Sequence, residues 1–477
     1  MDTNSDQSSE EINCQNKNQS KCNQKQDESK LSSFFSFAVQ KWLQIFFVTL
    51  ITLGPFICSY GISSVKEGFK EQFNLNDFQY NTMQSSITFV ACVFSLFCGV
   101  ITDKIGLRKS LLMFSILCLC GYTLQLIGIY LPNFYVQCIG QAIGYINLNG
   151  LTVIQGPLIS RWVDKKQYGF CLSITFLSVR FADVISSWTY PPIYENTGHL
   201  YLSFLLGVIL LATTLLLGSI SSFVMDLKAE KRGQLQQVAI SDINLKHVKY
   251  LSFNYLIVVL IGVFGLASFY AYYFNSQTIL KKYYHIDGIT SGRLFSIPFF
   301  VSFSSPVFGF VLDKIKSKTS FLIFSVSQIV LGYLIWILFY DCQQDECYKI
   351  VIPAYIFLGI FLSTFTNAVW YCVFLITPTK VSGTAYGILV SSKNLGIALF
   401  GMLEGYILDQ HSVFWAIMHP LILSAFAFII SILLFIKNKK EQFLNFDYKS
   451  KLELNNQLIQ PDQKSSQSSD NQLSQLN

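Results

Sequence analysis

The chain contains 477 residues, of which 52% are hydrophobic and only 13% are charged. Soluble globular domains usually carry about 25% charged residues. A soluble enzyme of this length could not cover its surface with so few charges. The formal net charge of +6 is spread along the chain, which argues against nucleic acid as a partner. The composition therefore predicts a protein that crosses the lipid bilayer several times.

Twelve apolar runs follow a polar N-terminal tail, and each is near the ~20 residues that cross ~30 Å of hydrocarbon. Because the bilayer core offers no water to backbone groups, each run is predicted to be a helix. The predicted fold class is an all-α membrane protein with twelve transmembrane helices in two six-helix bundles. The runs lie at 37–62, 82–101, 110–131, 134–160, 167–190, 200–225, 251–275, 290–312, 319–340, 350–376, 383–408 and 412–436.

The longest internal hydrophilic segment divides the runs into six and six, which sets the predicted domains. Both chain ends are rich in Asn, Gln, Ser and Lys and cannot bury enough apolar surface to order themselves. The predicted organisation is a disordered tail (1–36), a first bundle (37–225), a linker (226–250), a second bundle (251–436) and a second disordered tail (437–477).

Lysine and arginine are distributed unevenly between the two sets of loops. One set holds fifteen such residues and the opposite set holds six. Because cytoplasmic loops are enriched in these residues, both termini are predicted to be cytosolic. The acidic loop DCQQDEC is then lumenal or extracellular. Its Cys342 and Cys347 could form a disulfide in an oxidising compartment, but their spacing alone leaves both states open.

Two loops at equivalent places in the halves share one pattern. The loop after the second run reads GVITDKIGLRK from Gly99, and the loop after the eighth reads GFVLDKIKSK from Gly309. In each, a glycine precedes an Asp-Lys pair by three residues and further cations follow. A glycine lets a neighbouring helix approach closely, and the cations suit a cytosolic face.

At these loops the chain resembles the major facilitator superfamily, although the second loop lacks the middle glycine. The resemblance implies two bundles that rock around a central site, as in secondary transporters built from repeats. It also implies a conformational latch in which Asp103 and Arg108 hold one state. The implied latch residues are Gly99, Asp103, Lys104, Gly106, Arg108 and Asp313.

The second half resembles the lysosomal dipeptide-transporter branch of that family more closely. The resemblance rests on SPVFG from Ser305, NAVW ending at Trp370, GTAYG from Gly383 and GYILD ending at Asp409. In the first half it rests on Gln155, Trp162 and Arg180. It implies a small-molecule substrate, a lysosomal membrane, and a glycosylated lumenal accessory membrane protein as partner.

Arg180 lies about 13 residues into its run, near mid-bilayer at about 1.5 Å per residue. Charges at that depth are rare and usually functional. A guanidinium can bind a substrate carboxylate through two hydrogen bonds, and the resemblance places a carboxylate-binding arginine here. The alternative is a structural pair with Asp183, three residues along the same helical face.

Lys393 and Glu404 lie in the eleventh run, about 16 Å apart along a helix, and cannot bond each other. Lys393 is nearer mid-membrane and is the better substrate-site candidate, while Glu404 could reach lumenal water. The family has uncharged residues at both positions. Site, gate and inter-helix pair remain open as roles.

Asn149 stands where the resemblance places an acidic residue that receives the peptide amino group. An amide can hydrogen-bond an ammonium but cannot neutralise it. The family's arginine earlier in the same helix is Gln141 here. The resemblance therefore leaves dipeptide selectivity open.

Five aromatic residues are candidates for the wall of the central cavity, although most tyrosines and tryptophans in such a chain are core or interface residues. The candidates are Tyr145, Tyr272, Tyr273, Trp370 and Tyr371.

The sequence shows no enzyme signature. Its five histidines form no metal-ligand spacing, and no Gly-rich phosphate loop occurs, so neither a cofactor nor a metal is expected.

The first run has no acidic residue, which favours facilitated diffusion, although Asp183 or Glu404 could carry a proton. The sequence thus predicts an alternating-access facilitator that exports dipeptides or amino-acid-like solutes. A carrier of organic monocarboxylates or other anions, and a non-transporting nutrient sensor, remain alternatives.

Overall fold

The computed structural model describes residues 37–163, 168–233, 235, 251–315, 317–340, 348–377, 382–441 and 444. Every regular element in these ranges is a helix. The polar chain ends before 37 and after 444, most of the predicted linker, and the DCQQDEC loop with its two cysteines lie outside the described residues. The predicted all-α architecture is confirmed.

The described ranges contain thirteen helices in chain order, numbered here α1 to α13. They are α1 (Phe37–Ser64), α2 (Lys66–Phe73), α3 (Asp77–Ile105), α4 (Leu107–Tyr130), α5 (Phe134–Ser160), α6 (Tyr168–Thr197), α7 (Leu200–Lys231), α8 (Phe253–Lys282), α9 (Gly288–Phe295, continuing through Ile297–Val301, Ser302–Ser304 and Ser305–Lys314), α10 (Lys318–Leu338), α11 (Tyr348–Ile376), α12 (Ser382–Gln410) and α13 (Val413–Glu441).

Helix α9 is broken twice, and the breaks coincide with proline. Pro298 opens the second piece and Pro306 opens the last one, after a short 3₁₀ turn at Ser302–Ser304. A proline has no backbone N–H to donate to the preceding turn, so the helix ends and restarts there. Helix α7 remains continuous but contains a π-helical segment, Leu216–Ile220. It extends to Lys231, into the segment that the sequence predicts as linker.

Among the described residues, nine helices are long and apolar enough to cross a membrane. Helices α3, α5 and α6 have comparable length but carry more polar residues. Those polar side chains face the protein interior: Gln84 and Gln141 are 6% and 4% exposed, and Ser187 is 1% exposed. The lower hydropathy of these three helices therefore reflects polar groups buried against other helices.

Contacts between helix ends define two faces of the molecule. The start of α8 meets the end of α13 where Asn254 donates to Glu441, and the start of α1 meets the end of α5 where Phe37 stacks on Trp162. We call this the tail face, because both chain ends leave from it. The opposite face, where α2 and the start of α3 meet the end of α8, is called the far face.

Within the first half (α1 to α7), glycine brings α4 and α5 into close contact. A Cβ atom added at Gly121 would lie 2.3 Å from the backbone nitrogen of Gly144, so no larger residue fits there. Gln155 ties α5 to α1 by donating to the Thr52 hydroxyl at 2.8 Å, and Thr52 bonds Ser178 of α6 at 3.0 Å. These contacts fix the mutual positions of three helices that carry candidate site residues.

Candidate functional site

Arg180 lies on α6 and faces a small cavity shared by both halves of the molecule. Its own helix contributes Phe176 and Leu177 to the wall. The second half contributes Ser305 of α9 and Leu362, Thr366 and Asn367 of α11. Within the described residues, Arg180 makes no hydrogen bond or ion pair with another side chain. The guanidinium is therefore available to a ligand that enters between the halves.

The amide of Asn367 stabilises the cavity wall that the second half contributes. Asn367 donates to the backbone oxygen of Ser305 at 3.2 Å, to its hydroxyl at 2.9 Å and to the backbone oxygen of Ser363 at 3.1 Å. This ties α11 to α9 at the point where α9 restarts. Two sequence motifs of the second half, SPVFG and NAVW, thus meet at one contact beside the candidate site.

Asp183 lies one turn beyond Arg180 on α6, yet the two do not form an ion pair. Asp183 is 1% exposed, and neither carboxylate oxygen has a hydrogen-bond partner among the described residues. The Tyr273 hydroxyl of α8 lies beside it but also lacks a partner in hydrogen-bonding geometry. The structural pair that the sequence left open is not formed in this conformation.

Lys393 lies on α12, on the opposite half from Arg180, and its ammonium interacts electrostatically with the guanidinium. Its nitrogen lies 6.0 Å from the ring centroid of Trp370 on α11. The Trp370 backbone oxygen in turn accepts from the hydroxyl of Tyr386 at 3.2 Å. The structure thus brings three of the predicted substrate-binding residues, Arg180, Lys393 and Trp370, into one region between the halves.

Tyrosines from three helices surround the same region. Tyr60 of α1 packs edge-to-face against Tyr273 of α8 at 5.3 Å between centroids, and Tyr270 lies 5.6 Å from Tyr273. Tyr145 of α5 lies near Tyr270. Tyr272 points elsewhere: it is 2% exposed and donates to the Phe295 backbone oxygen. Tyr272 is therefore a core residue of the second half.

Asn149 lies one turn from Tyr145 on α5, and its amide donates to the Tyr145 backbone oxygen at 2.7 Å. The side chain of Asn149 also lies next to the Tyr145 hydroxyl. The two predicted site residues are therefore neighbours, but Asn149 brings no charge. The nearest buried carboxylate that the tyrosine cluster offers is Asp183, which interacts electrostatically with Tyr60.

Gln141, where the resemblance places an arginine, belongs to a chain of buried amides. Gln137 donates to Gln141 at 2.9 Å, and Gln141 donates to Gln84 of α3 at 2.6 Å. Gln84 continues the chain to the Tyr80 hydroxyl at 3.3 Å. The neutral residue thus connects α5 to α3 where a charge would have required a counter-ion.

Glu404 does not reach water. Its side chain is 1% exposed and its carboxylate lies 2.5 Å from Nδ1 of His419 on α13. The other ring nitrogen of His419 has no partner among the described residues. The inter-helix pair, one of the three roles that the sequence left open for Glu404, is the arrangement observed.

A second group of buried charges lies on the far face and was not among the predicted site residues. Asp77, the first residue of α3, accepts from Lys66 at 3.0 Å, from Lys70 at 2.7 Å and from Lys282 of α8 at 2.8 Å. Lys66 is fully buried and also donates to Asn275 of α8 at 2.8 Å. We call these five residues the far-face lock, because they join the first half to the second.

Further contacts between the halves surround the far-face lock. Thr278 of α8 donates to Glu67 of α2 at 2.6 Å, and Lys281 of α8 pairs with Glu195 of α6 at 3.0 Å. Among the described residues, the ion pairs that cross between the halves are all on this face. The structure is therefore closed toward the far face.

The electrostatics of Asp77 favour its charged form. Burial alone would raise the pKa of this carboxyl group, but Lys66 and Lys70 outweigh that effect and hold the pKa well below its usual range. A carboxylate paired with opposite charges titrates at lower pH than a free one. Asp77 therefore stays ionised, and the far-face lock keeps its charges, over the physiological pH range.

The GYILD motif of the second half ends in the same place. The two carboxylate oxygens of Asp409 accept from the backbone amides of Asp77 at 3.0 Å and Phe78 at 2.7 Å. Asp409 thus satisfies free N–H groups at the start of a helix in the other half. A Cβ atom at Gly405 would lie 2.5 Å from the Cβ of Asn81. Gly405 thus allows α12 to lie close to α3, and Asp409 bonds the first backbone amides of α3.

On the tail face, the ion pairs found among the described residues lie within the first half. Asp226 of α7 is fully buried and accepts from Arg161 at 2.7 Å and from the Trp162 ring nitrogen at 3.2 Å. Arg108 lies 3.8 Å from Asp226 and also pairs with Glu230. We call these five residues the tail-face cluster.

The remaining predicted latch residues are only partly described. Gly106 ends α3 and begins α4 with a φ of 90°, a left-handed conformation that only glycine adopts at low cost. Lys104 is exposed. Gly99 lies within α3, but the side chains of Asp103 and Asp313 lie outside the described residues. The latch therefore stays a prediction, with Arg108 placed against α7 in this conformation.

Sequence reasoning missed the far-face lock because it counted Lys66 and Lys70 as loop cations. The spacing KEGFK contained a signal, since residues four apart share one face of a helix. The pairing with Asn275 and Lys282 has no local signature, because these two partners lie in α8, far along the chain from Lys66 and Asp77. Among the described residues, no three His, Cys, Asp or Glu side chains are grouped as metal ligands.

Comparisons with known proteins agree with this architecture. Solved transporters that match the chain include a crystal structure of the Major Facilitator Superfamily transporter FucP in the outward conformation and a D-xylose-proton symporter. The first has a TM-score of 0.57 at 14% identity and covers 83% of this chain and 99% of its own. The second has a TM-score of 0.61 at 13% identity and covers 80% and 97%. At such identity the likeness shows the fold alone.

Relatives in sequence cover most of the chain at low identity. The protein named lysosomal dipeptide transporter MFSD1 of Danio rerio is 22% identical over 387 residues, which is 77% of this chain and 80% of the relative. Its counterpart of Homo sapiens is 20% identical over 390 residues, with shares of 77% and 80%.

A family model described as Major Facilitator Superfamily matches two overlapping segments, residues 32–401 and 263–453. Together they span both bundles and include the cavity at Arg180, the far-face lock and the tail-face cluster. The all-helical architecture, the paired loop patterns and the cavity between the halves all fit that match. The chain belongs to the major facilitator superfamily.

Proposed function

We propose that this protein is an alternating-access facilitator that moves dipeptides or amino-acid-like solutes out of a lysosomal-type compartment. The observation that carries the proposal is the Arg180 guanidinium, which has no ion-pair partner among the described residues and faces a cavity walled by both halves. The relatives named lysosomal dipeptide transporter support the substrate class and the compartment. The excess of lysine and arginine in one set of loops supports a cytosolic tail face and a lumenal far face.

The geometry supplies a mechanism for such transport. A substrate carboxylate would accept two parallel hydrogen bonds from Arg180, while Ser305 and Asn367 offer polar contacts from the other half. A solute bound in this way touches both halves. A ligand shifts a conformational equilibrium only through its different affinity for the two states. Contacts with both halves are what allow a small solute to favour one state.

The far-face lock defines what must change during the cycle. With the lock closed, the cavity is sealed from the far face by Asp77 and its lysine partners. For the solute to enter from the lumen, Lys282 and Asn275 of the second half must separate from their partners in the first. Helix α1 carries no acidic residue, so uniport is the mode proposed. Asp183 and the pair of Glu404 with His419 are the candidates for proton coupling.

A carrier of organic anions is the second candidate. It is favoured by one observation: the site contains Lys393 in addition to Arg180, while Asn149 supplies no charge for an amino group. A carrier of this kind would accept solutes that have a carboxylate and no amine. Competition by such solutes against dipeptide uptake separates the two functions.

The test is uptake of a labelled dipeptide into proteoliposomes by the wild type and by Arg180→Gln. Hydrogen bonds to charged groups contribute about 1.5–3 kcal/mol each. We therefore expect uptake at low substrate concentration to fall by roughly tenfold or more. Arg293→Gln is the matched control, because Arg293 is exposed on the far face and packs over Trp188. Unchanged uptake of every carboxylated solute by Arg180→Gln would overturn the proposal.

A further inference from the structure

The region between the halves contains two cations and one carboxylate that are not paired with one another. Arg180 comes from α6 and Lys393 from α12, and the two interact electrostatically. Asp183 interacts electrostatically with Arg180 but is not bonded to it. With all three groups ionised, the site carries one net positive charge. That charge is unusual in an apolar environment, where charged groups are normally paired.

Lys393 accounts for the net positive charge of the site. Among the described residues, no carboxylate interacts electrostatically with its ammonium, and the one charged group that does is the like-charged Arg180. The Trp370 ring lies 6.0 Å away, at the outer limit of about 6 Å for a cation–π contact. The ring therefore stabilises the ammonium weakly and does not replace a counter-ion.

Asp183 is the group that can receive a positive charge. Its carboxylate is buried with both oxygens unpartnered among the described residues, beside the free hydroxyl of Tyr273. A buried carboxylate without partners is costly unless a ligand or proton satisfies it. The amide of Asn149 cannot neutralise an amino group, but Asp183 can, and it lies one helical turn from Arg180.

We infer that the preferred substrate is a dipeptide or amino-acid derivative with one amino group and two carboxylates. This inference rests on the proposed function and specifies its substrate class. One carboxylate pairs with Arg180, the second pairs with Lys393, and the amino group pairs with Asp183. The substrate's net charge of −1 then equals and opposes the charge of the site.

This arrangement also couples binding to the contact between the halves. Arg180 belongs to the first half and Lys393 to the second, so their repulsion pushes the halves apart when the site is empty. Two linked carboxylates remove that repulsion and bridge the halves, whereas a single carboxylate leaves one cation unneutralised. A neutral dipeptide is therefore predicted to bind more weakly and to be carried more slowly.

The test compares alanyl-glutamate with alanyl-glutamine, which differ by one carboxylate and little in size. Uptake into proteoliposomes and the rise in Tm of the purified protein on ligand addition are both measured. For the wild type we expect at least a tenfold preference for alanyl-glutamate in half-saturating concentration. In Lys393→Gln the preference should fall to about twofold or less, because the second carboxylate has lost its cation. Lys393→Arg, which keeps the charge, should keep the preference.

The outcomes distinguish this inference from the function on which it rests. Equal affinity of the wild type for the two dipeptides, or a preference that Lys393→Gln leaves intact, overturns the inference while dipeptide transport stands. Absence of uptake and of any Tm change with either dipeptide overturns both. If Lys393→Gln cannot be purified folded, Asp183→Asn is the second variant. Weaker binding of alanyl-glutamate, with unchanged binding of a dicarboxylate that lacks an amino group, supports the assignment of the charges; unchanged binding of alanyl-glutamate contradicts it.

Discussion

The far-face lock and the tail-face cluster are built alike but join different parts of the molecule. Each surrounds one buried carboxylate, Asp77 at 2% exposure or Asp226 at 0%, with more than one cation. The partners of Asp77 come from both halves, whereas the partners of Asp226 all belong to the first half. The same chemistry therefore closes a gap between domains at one face and braces a single domain at the other.

This difference indicates which ion pairs must break during transport. A rocking motion of two rigid halves separates groups that belong to different halves and preserves those within one half. The bonds of Lys282 and Asn275 to the first half must be lost when the far face opens. The bonds of Arg161 to Asp226 can persist throughout the cycle. Variants at the two carboxylates should therefore differ in their effects on conformation.

The largest effect is expected from Asp77→Asn. The change leaves Lys66, which is fully buried, without a carboxylate partner among the described residues, whereas Lys70 keeps Glu67 at 3.4 Å. Removing one partner of a buried ion pair typically costs about 3–5 kcal/mol. We expect a loss of this size in the free energy of unfolding in detergent, together with faster labelling of a cysteine placed at Thr278. A loss below about 1 kcal/mol with unchanged labelling would show that the lock does not stabilise the closed state.

A smaller effect is expected from Asp226→Asn. Its arginine partners are 16% and 25% exposed and keep Glu230 as an acceptor. The loss of charge-assisted hydrogen bonds is then about 1–3 kcal/mol. Because the cluster lies within one half, labelling at the Thr278 cysteine should match the wild type. Faster labelling in this variant would contradict the division of roles between the two carboxylates.

Lys282→Gln should change conformation more than stability. Lys282 is 56% exposed, and exposed ion pairs contribute about 0–1 kcal/mol, so Tm should hardly change. Since its bond to Asp77 crosses between the halves, cysteine labelling on the far face should still become several-fold faster. Arg293→Gln removes an exposed far-face cation that forms no ion pair with any described residue, and it serves as the control. Equal labelling in the two variants would remove Lys282 from the lock.

The smallest effect is expected from mild acid. The Asp77 carboxyl has its pKa held below its usual range, whereas an unfolded Asp titrates near about 3.9. Its stabilisation is therefore present above pH ~4 and is lost only as pH falls through the lower folded value. The distance between spin labels at Glu71 and His285 should be the same at pH 7.5 and pH 5. A longer distance at pH 5 would mean that another group controls closure.

Much of the fold could be predicted from the sequence, because hydrophobic length determines where helices cross a bilayer. The predicted run 37–62 corresponds to α1, and 134–160 coincides with α5. The prediction placed no helix at Lys66–Phe73, since α2 is short and polar. It also did not foresee the breaks in α9 at Pro298 and Pro306, because a proline in an apolar run does not always interrupt the helix: α5 continues through Pro157.

The candidate site could be predicted only in part. Arg180 and Lys393 stand out because a charge within an apolar run is visible in the sequence. Whether these two cations have ion-pair partners is not visible in the sequence, because that depends on which side chains the tertiary structure places beside them. Asp183 looks like a partner for Arg180 by spacing, and Glu404 gives no hint of His419. The motif GYILD is recognisable, but its capping of α3 through Asp409 requires the two halves to be in place.

We expect the two halves to separate at the far face in every transport cycle. The most direct test is a thiol cross-link between Glu67→Cys and Thr278→Cys, in a background whose native cysteines are replaced, with dipeptide uptake measured before and after reduction. These two side chains are hydrogen-bonded across the halves at 2.6 Å. A cross-link between Arg161→Cys and Glu230→Cys, within the first half, is the matched control. The first cross-link should stop uptake until it is reduced, and the second should leave uptake unchanged. Full uptake with the first cross-link in place would contradict this expectation.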